Sequence, residues 1–264
     1  MGKIKPKIIV SLTSFPAALP YAAHAVKSIM NQSVRPDEIV LYLTAEQFPH
    51  GIKDVPTELR DMRGDLFDIR FYPENIRSYT KLVPALKDFP NDIIITIDDD
   101  MYYRPTMIAR LLRVHKKYPG VIIGHQIRRI EPNKPYSRSN WALYNRYRMF
   151  TRSMAPAYNN LILGYGGMLY PPHSLDKKMI DSKLFMEYAP TVDDIWFTAA
   201  AISAGTKVKP LWFGARPKEL GKPVAISLMC ENLVRHSGVD KNKIALDKIL
   251  KKYPKIKKRI LDRQ

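Results

Sequence analysis

The chain has 264 residues, 45% of them hydrophobic, and a formal net charge of +18. This length is sufficient for the full hydrophobic core of one large domain. No apolar run approaches the ~20 residues that cross a bilayer, and the charged N-terminus lacks the apolar stretch of a signal peptide. Cys230 is the only cysteine, which excludes an internal disulfide and a cysteine-cluster metal site and favours a reducing cytoplasm.

Apolar runs rich in β-branched residues alternate with amphipathic segments over the first half of the chain. The runs predict strands at 7–12, 38–43, 67–72, 92–97 and 120–124, and the segments predict helices from residue 20, at 56–63, at 78–87 and at 105–117. Such alternation is typical of an α/β fold, with a mainly parallel sheet covered by helices on both faces. Nucleotides bind these sheets at the carboxyl ends of the strands.

The second half of the chain has weaker periodicity. Residues 127–156 are rich in Arg, Tyr and Pro, which is typical of a long functional loop. Strands are predicted at 161–163, 167–170 and 206–210, and a helix at 192–204. We predict one catalytic domain over 1–240, with a nucleotide-binding half at about 1–125, an acceptor-side half at about 126–240 and a basic helical tail at 241–264.

Three aspartates, Asp98, Asp99 and Asp100, follow the most apolar predicted strand. Adjacent carboxylates repel one another, so a cation is the natural reason to place them there. Along an extended chain Asp98 and Asp100 point to the same side, and two such carboxylates suit Mg²⁺ or Mn²⁺ on a diphosphate. The alternative is a solvated acidic turn before a helix. We call residues 98–100 the acidic triplet.

Five segments resemble GT-A glycosyltransferases, particularly the family-2-like bacterial enzymes that build surface polysaccharide such as lipopolysaccharide or capsule. They are VSLTSFP at 10–16, SYTKLVPAL at 78–86, IIITIDDDM at 93–101, GYGGMLYPP at 164–172 and TVDDIWF at 191–197, in the family's order. The resemblance implies a GT-A, Rossmann-like sheet flanked by helices. It also implies Mn²⁺ or Mg²⁺ as cofactor, a nucleotide-sugar donor, with a UDP-sugar favoured, and a glycan or lipid-linked glycan acceptor.

The resemblance assigns roles to single residues. The implied nucleotide-binding residues are Thr13, Ser14, Arg77, Lys81, Asp98 and Asp99, and the implied metal ligands are Asp98, Asp100 and His236. The residue types alone leave plainer alternatives open. Thr13 and Ser14 are also suited to ending a strand. Lys81 suits the exposed surface of a helix, and a lone histidine such as His236 is more often structural than a ligand.

Asp193 and Asp194, which we call the acidic pair, precede the predicted helix at 192–204. Inverting enzymes of this type place their catalytic carboxylate at such a pair, which implies Asp194 as the base that deprotonates the acceptor hydroxyl. Asp193 then orders the acceptor or caps the helix. The choice between the two stays open, a retaining enzyme would not need the base, and helix capping alone also explains two acids here.

The glycines of residues 164–167 lie, by the same resemblance, in the loop that shapes the donor-sugar and acceptor pocket. A glycine lets the backbone approach a ligand closely. An ordinary turn at the entry of a strand is the alternative. No Gly-Lys-Ser/Thr sequence follows, so the segment is not a phosphate-binding loop of that type.

Two regions are strongly basic. Residues 127–152 interleave arginines with aromatic residues, which favours an acceptor-side loop that meets a phosphorylated or acidic glycan. Residues 241–264 hold ten Lys or Arg and two Asp, with apolar residues at helical spacing that Pro254 interrupts. They predict two short helices on an anionic membrane, hence a cytoplasmic protein at the inner face of the cytoplasmic membrane. Packing of these helices on the domain is the alternative.

Two other functions remain to be weighed. A nucleotidyltransferase acting on sugar phosphates usually has a glycine-rich loop after its first strand, whereas SLTSFPA at 11–17 has no glycine. A basic nucleic-acid-binding protein explains the charge but not the acidic triplet, which repels phosphate unless a metal is present. We therefore expect no nucleic-acid partner.

Overall fold

A seven-stranded sheet lies at the centre of the computed structural model, which describes residues 5–125, 127–130, 154–211, 217–221, 223 and 238–262. In sheet order the strands are β10 (Val208–Pro210), β6 (Ile122–Gly124), β9 (Met168–Tyr170), β4 (Ile93–Thr96), β1 (Ile8–Thr13), β2 (Glu38–Thr44) and β3 (Phe67–Tyr72). The strands β4, β1, β2 and β3 pair in parallel, as do β6 and β10. Only β9 is antiparallel to its two neighbours in this sheet. The predicted mainly parallel sheet is confirmed.

Helices cover both faces of the sheet. Among the described residues they are α1 (Leu19–Met30), α2 (Thr57–Asp61), α3 (Val83–Asp88), α4 (Met107–His115), α5 (Ser182–Tyr188), α6 (Asp193–Ala204), α7 (Lys241–Lys252) and α8 (Pro254–Leu261). Neighbouring residues of β1 enter different clusters, since Ile9 packs on one side of the sheet and Val10 on the other. Burial on both faces explains why central strands such as β2 and β4 are apolar almost throughout rather than alternating.

Two smaller sheets complete the described strands. β5 (Met101–Tyr102) pairs antiparallel with β11 (Lys218–Glu219), and β7 (Ile127–Arg129) pairs antiparallel with β8 (Asn160–Ile162). The first of these holds the chain directly after the acidic triplet. Most of the basic loop predicted at 127–152 lies outside the described residues.

The segment predicted as one helix at 78–87 is two elements. A 3-10 turn at Arg77–Lys81 is followed by α3, and Leu82 between them has a non-helical backbone. Pro84 lies in the first turn of α3, where a proline costs no hydrogen bond. Because of this break, Lys81 lies at the end of the 3-10 turn instead of in the middle of a helix.

Helix α6 is buried nearly all round, with Trp196 and Phe197 among the largest enclosed side chains. Gly205 ends it in the left-handed conformation at φ +82°, a backbone geometry that favours glycine. Burial over its whole length fixes the direction of its first turn, which carries the acidic pair. The position of these two carboxylates therefore depends on the core rather than on a loop.

The basic tail forms two helices, as predicted, and Pro254 opens the second. Ile249, Ile256 and Ile260 are buried in the same cluster as Trp196, and the Arg259 guanidinium donates to the carbonyl oxygens of Ile202 and, at 3.0 Å, Ser203 at the end of α6. The apolar face of the tail is thus occupied by the domain. None of the described helices is long and apolar enough to cross a membrane.

Candidate active site

The acidic triplet lies in a turn, because β4 ends at Thr96. The prediction that Asp98 and Asp100 point to the same side, as alternate residues of an extended strand do, therefore does not apply to these residues. Asp99 points into the protein, where the hydroxyl of Ser14 donates to its Oδ2 at 2.5 Å. Asp98 keeps 30% of its side chain exposed. The turn thus gives the three carboxylates different surroundings.

The side chain of Tyr103 holds the acidic triplet in position through its hydroxyl group. The backbone N–H of Asp98 donates to the Tyr103 hydroxyl at 2.9 Å, and this hydroxyl donates to the carbonyl oxygen of Tyr165 at 2.9 Å. The side chain is buried, and burial raises the pKa of the Tyr103 phenol well above its usual value, so it stays a neutral donor. Tyr103 therefore ties the triplet to residues 164–167. Sequence reasoning missed it, because an aromatic residue near an acidic motif carries no signal of its own.

The acidic pair forms the first turn of α6. Its N-cap is Val192, and no side chain caps this end, so neither aspartate is the N-cap; both lie in the first turn, where an acidic side chain also interacts favourably with the helix dipole. Ser78 donates its hydroxyl to Asp193 Oδ1 at 2.8 Å, and Lys81 Nζ lies 3.0 Å from Asp193 Oδ2. Both oxygens of Asp193 are therefore engaged. Sequence reasoning also missed Ser78, which lies 115 positions from its partner.

Asp194 has different partners from its neighbour. The backbone N–H of Gly164 lies 3.1 Å from Asp194 Oδ1 and 3.2 Å from Oδ2. Burial, and then the charge of Asp193, raise the pKa of Asp194 to about 8, although Lys81 and the Gly164 N–H act in the opposite direction. A carboxylate with this pKa accepts a proton far more readily than an ordinary aspartate near neutral pH.

Lys81 is buried between the two acidic groups, so the alternative of a surface lysine is wrong. Its Nζ lies 3.0 Å from Asp98 Oδ1 as well as from Asp193 Oδ2, and only 8% of its side chain is exposed. Burial opposes its charge, but the carboxylates of Asp193 and Asp98 outweigh burial and raise the pKa of Lys81 well above its usual value. The Ser11 hydroxyl donates to the Lys81 carbonyl oxygen at 2.6 Å and fixes this turn to β1.

Gly164 has a steric reason to be glycine. A Cβ atom there would lie 2.7 Å from Lys81 Nζ and 3.0 Å from Asp194 Oδ1. Gly167 adopts φ +85°, a backbone conformation that side chains other than hydrogen rarely allow. The segment 164–167 is thus more specialised than an ordinary turn, since its backbone forms a wall of the carboxylate cluster.

Thr13, Arg77 and His236 are the remaining predicted site residues. The Thr13 hydroxyl donates to the Tyr42 carbonyl oxygen at 2.8 Å, between two strands. Arg77 is exposed at the start of the 3-10 turn, with a left-handed backbone at φ +54°. His236 lies outside the described residues. The nucleotide-binding roles of all six residues stay predictions, namely those of Thr13, Ser14, Arg77, Lys81, Asp98 and Asp99.

A divalent metal fits the chemistry of the triplet. Within the described ranges no group of three or more His, Cys, Asp or Glu side chains could hold an ion. Asp98 and Asp100 nevertheless offer hard carboxylate oxygens, and Mg²⁺ is commonly bound by one or two carboxylates with water and substrate phosphates completing the shell. The residues present therefore suit a metal that arrives with a diphosphate.

The fold and the site together define an α/β enzyme of the GT-A type. In this site the acidic triplet, in the turn after β4, faces the acidic pair at the start of α6. The chain belongs to the family described as Glycosyl transferase family 2, whose sequence model matches residues 17–177. It is accordingly a glycosyltransferase. This assignment takes the place of the nucleotidyltransferase and nucleic-acid-binding alternatives.

A solved structure of low sequence identity shows the same type of fold. A mannosyltransferase, PcManGT from Pyrobaculum calidifontis in complex with GDP-Man and Mn²⁺, is similar with a TM-score of 0.55 at 12% identity, over 97% of this chain and 74% of that one. Residues 1–349 of S. aureus TarS give a TM-score of 0.48 at 13% identity, over 94% of this chain and 71% of that one. No curated protein sequence matches the chain.

Proposed function

We propose that the protein transfers a sugar from a nucleotide-sugar to a hydroxyl of a glycan or lipid-linked glycan, with inversion at the anomeric carbon. The observation that carries this proposal is Asp194, a carboxylate with a pKa raised to about 8. It is held by Gly164 and lies next to Asp193, which Lys81 joins to the acidic triplet. A proton acceptor beside a diphosphate site is what an inverting transfer requires.

On the donor side, Asp98 and Asp100 are the residues we propose as ligands of Mn²⁺ or Mg²⁺, with His236 as a further candidate. Such a metal, when bound, neutralises the charge that develops on the departing nucleoside diphosphate. Asp99 stays buried under Ser14, so it shapes the turn rather than facing the donor. Thr13 and Arg77 are proposed to contact the nucleotide at the ends of β1 and β3.

On the acceptor side, Asp194 takes the proton of the attacking hydroxyl. The acceptor oxygen forms the new bond to the anomeric carbon while the bond from that carbon to the diphosphate breaks, so the nucleoside diphosphate leaves on the opposite face. Asp193 cannot readily share this task, because Ser78 and Lys81 engage both of its oxygens. Its negative charge instead helps to raise the pKa of Asp194.

The donor is tested by calorimetric titration with a panel of UDP- and GDP-sugars, each with and without Mn²⁺. We favour a UDP-sugar, whereas the similar mannosyltransferase was solved with GDP-Man, so both nucleotides belong in the panel. Metal-dependent binding of one donor is expected. Binding of no donor, in either condition, would contradict the proposal. The role in bacterial surface polysaccharide is part of the same proposal and rests on the sequence resemblance.

We also propose that the protein attaches to the cytoplasmic face of an anionic membrane through the charges of its tail. The domain buries Ile249, Ile256 and Ile260, so most of the apolar face of the tail is not available for insertion into lipid, although Ile244 and Leu261 are exposed. Exposed lysines remain on α7 and α8, namely Lys243, Lys248, Lys251, Lys252, Lys255, Lys257 and Lys258. Each basic residue near such a surface contributes about 1 kcal/mol.

Charge reversal tests this attachment better than truncation, which would uncover the core around Trp196. The triple variant K251E/K252E/K255E is expected to lose at least about tenfold in affinity for vesicles that contain anionic lipid. The double variant K116E/K117E, at exposed lysines after α4, is the control and should lose much less. Equal losses in both variants would show a general effect of net charge, and the attachment through the tail would be disproved.

A further inference from the structure

The ammonium group of Lys81 bridges the donor side and the acceptor side of the site. Nζ is 3.0 Å from Asp98 Oδ1 and 3.0 Å from Asp193 Oδ2. Asp98 is also one of the two carboxylates that we propose as metal ligands. A lysine and a divalent cation are therefore directed at the same carboxylate, and two cations at such short range repel each other strongly.

We propose that Lys81 is a positioning residue that holds Asp98 before a divalent cation binds and competes with that cation for this carboxylate. The inference rests on the proposed function, because it takes Asp98 as a metal ligand. When the cation binds, the ammonium group gives up Asp98 and keeps Asp193. Lys81 thereby orders the donor side before the metal and its diphosphate arrive, at a cost in metal affinity.

Three features of the site support this exchange. Lys81 has a second carboxylate to retain, so its buried charge never stands alone. Its backbone is fixed by the bond from Ser11 to its carbonyl oxygen, which leaves only the side chain to move. Gly164 offers no Cβ, so Nζ has room at this wall; a methyl group there would lie 2.7 Å away.

A lysine whose role was to contact the nucleotide would be placed differently. Only 8% of the Lys81 side chain is exposed, whereas Asp98 beside it is 30% exposed. The Asp98 carboxylate is thus the group that is more open to a ligand, and the ammonium group of Lys81 is the more deeply buried of the two. The two roles predict opposite results. A nucleotide-contacting lysine changes donor affinity alone, while a competitor of the metal weakens metal binding as long as it is present.

The test is titration of the full chain with MnCl₂ alone, following free Mn²⁺ by electron paramagnetic resonance. Lys81→Met is expected to bind Mn²⁺ at least about threefold more tightly than the wild-type protein. Lys87→Met is the matched control, because Lys87 is an exposed lysine of the next helix whose Nζ contacts the Tyr72 hydroxyl. It removes the same charge from the molecule and should leave Mn²⁺ affinity within a factor of about 1.5.

Two double variants complete the design. K81M/D98N should lose the gain in Mn²⁺ affinity, because the carboxylate for which Lys81 and the cation compete is then absent. K81M/D193N removes both members of the buried ion pair, so it protects the test if Lys81→Met alone fails to fold, and it should keep the gain. Mn²⁺ binding that is unchanged or weaker in folded Lys81→Met and K81M/D193N would overturn the proposal, as would the absence of Mn²⁺ binding from every variant.

This result is separable from the proposed function. No nucleotide-sugar is present in the titration, so failure of every donor in the panel leaves a gain in Mn²⁺ affinity standing. Conversely, metal-dependent donor binding without any gain in Lys81→Met removes only the role of Lys81.

Discussion

The acidic triplet and the acidic pair lie at the same end of the sheet, yet their surroundings differ. The triplet is in a turn, and Asp98 keeps nearly a third of its side chain exposed. The pair begins a buried helix, where only 10% of the Asp193 side chain is exposed. An exposed carboxylate can accept a cation from solution, whereas a buried one must be neutralised by the protein itself.

Lys81 neutralises the two aspartates of the acidic pair to different extents. It forms an ion pair with Asp193, whereas Asp194 accepts a hydrogen bond from the backbone N–H of Gly164, and the charge of Lys81 offsets only part of the effect of its burial. Asp194 therefore carries the cost of burial and of a neighbouring negative charge, which appears as its raised pKa. Two groups of similar composition are thus suited to the different tasks that we propose for them, metal binding in the triplet and proton transfer in the pair.

The largest expected effect comes from Asp194→Asn. The amide still accepts from the Gly164 N–H but cannot take a proton, so kcat should fall by about 10²–10⁴-fold. Steady-state kinetics with the donor identified by calorimetry checks this. The matched control is Asp181→Asn at the N-cap of α5, which should keep its kcat within about threefold. A kcat near the wild-type value in Asp194→Asn would remove this residue from the mechanism.

Gly164→Ala should have the next largest effect. Its methyl group would displace Lys81 Nζ or Asp194 Oδ1, and a misplacement of this size at reacting groups lowers kcat by about 10- to 100-fold. Gly120→Ala is the control, because nothing lies within 4 Å of its added Cβ. Equal kcat values for the two variants would show that the wall at Gly164 has no part in positioning the cluster.

The pH dependence of the reaction should follow the raised pKa of Asp194. Because the base acts in its ionised form and its pKa is about 8, kcat/KM is expected to fall about tenfold for each unit below pH 8. A profile of kcat/KM from pH 5 to 9 measures this. An acid limb centred near pH 4, the ordinary range of an aspartate, would contradict the assignment.

Replacement of Asp194 and replacement of Asp193 should change the thermal stability of the protein in opposite directions. The fold raises the pKa of Asp194 from 3.8 to about 8, so it favours the protonated form, and stability falls as pH rises from about 4 to 8. Asp194→Asn should therefore raise Tm at pH 8 by about 2–4 °C. Asp193→Asn breaks the pair with Lys81 and should lower Tm by a similar amount or more. Thermal unfolding of both variants at pH 5 and pH 8 tests this, and the gain should shrink at pH 5. Changes of the same sign in both variants would contradict the comparison.

The sequence predicted the elements of the sheet well, because burial on both faces makes strands such as β2 and β4 nearly continuous apolar runs. Helix boundaries were harder to predict. The break at Leu82 depends on packing against the sheet, and the strand before the triplet ends one residue earlier than its apolar run suggests.

The two acidic groups were also predicted from the sequence, but the links between them were not. Lys81 and Asp98 are 17 positions apart, and Ser78 and Asp193 are 115 apart. Such ion pairs and hydrogen bonds are set by three-dimensional proximity, which local spacing does not encode. The outward or inward direction of Asp99 depends in the same way on Ser14, 85 positions away.

The most direct test of the division of tasks is calorimetric titration of the identified nucleotide-sugar, with and without Mn²⁺, into the wild-type protein, Asp100→Ala and Asp194→Asn. The account predicts that Asp100→Ala loses the metal-dependent part of donor binding, while Asp194→Asn keeps donor affinity within about threefold of the wild-type value. Metal-dependent binding that survives in Asp100→Ala, or that disappears in Asp194→Asn, would contradict the assignment of metal to the triplet and proton transfer to the pair.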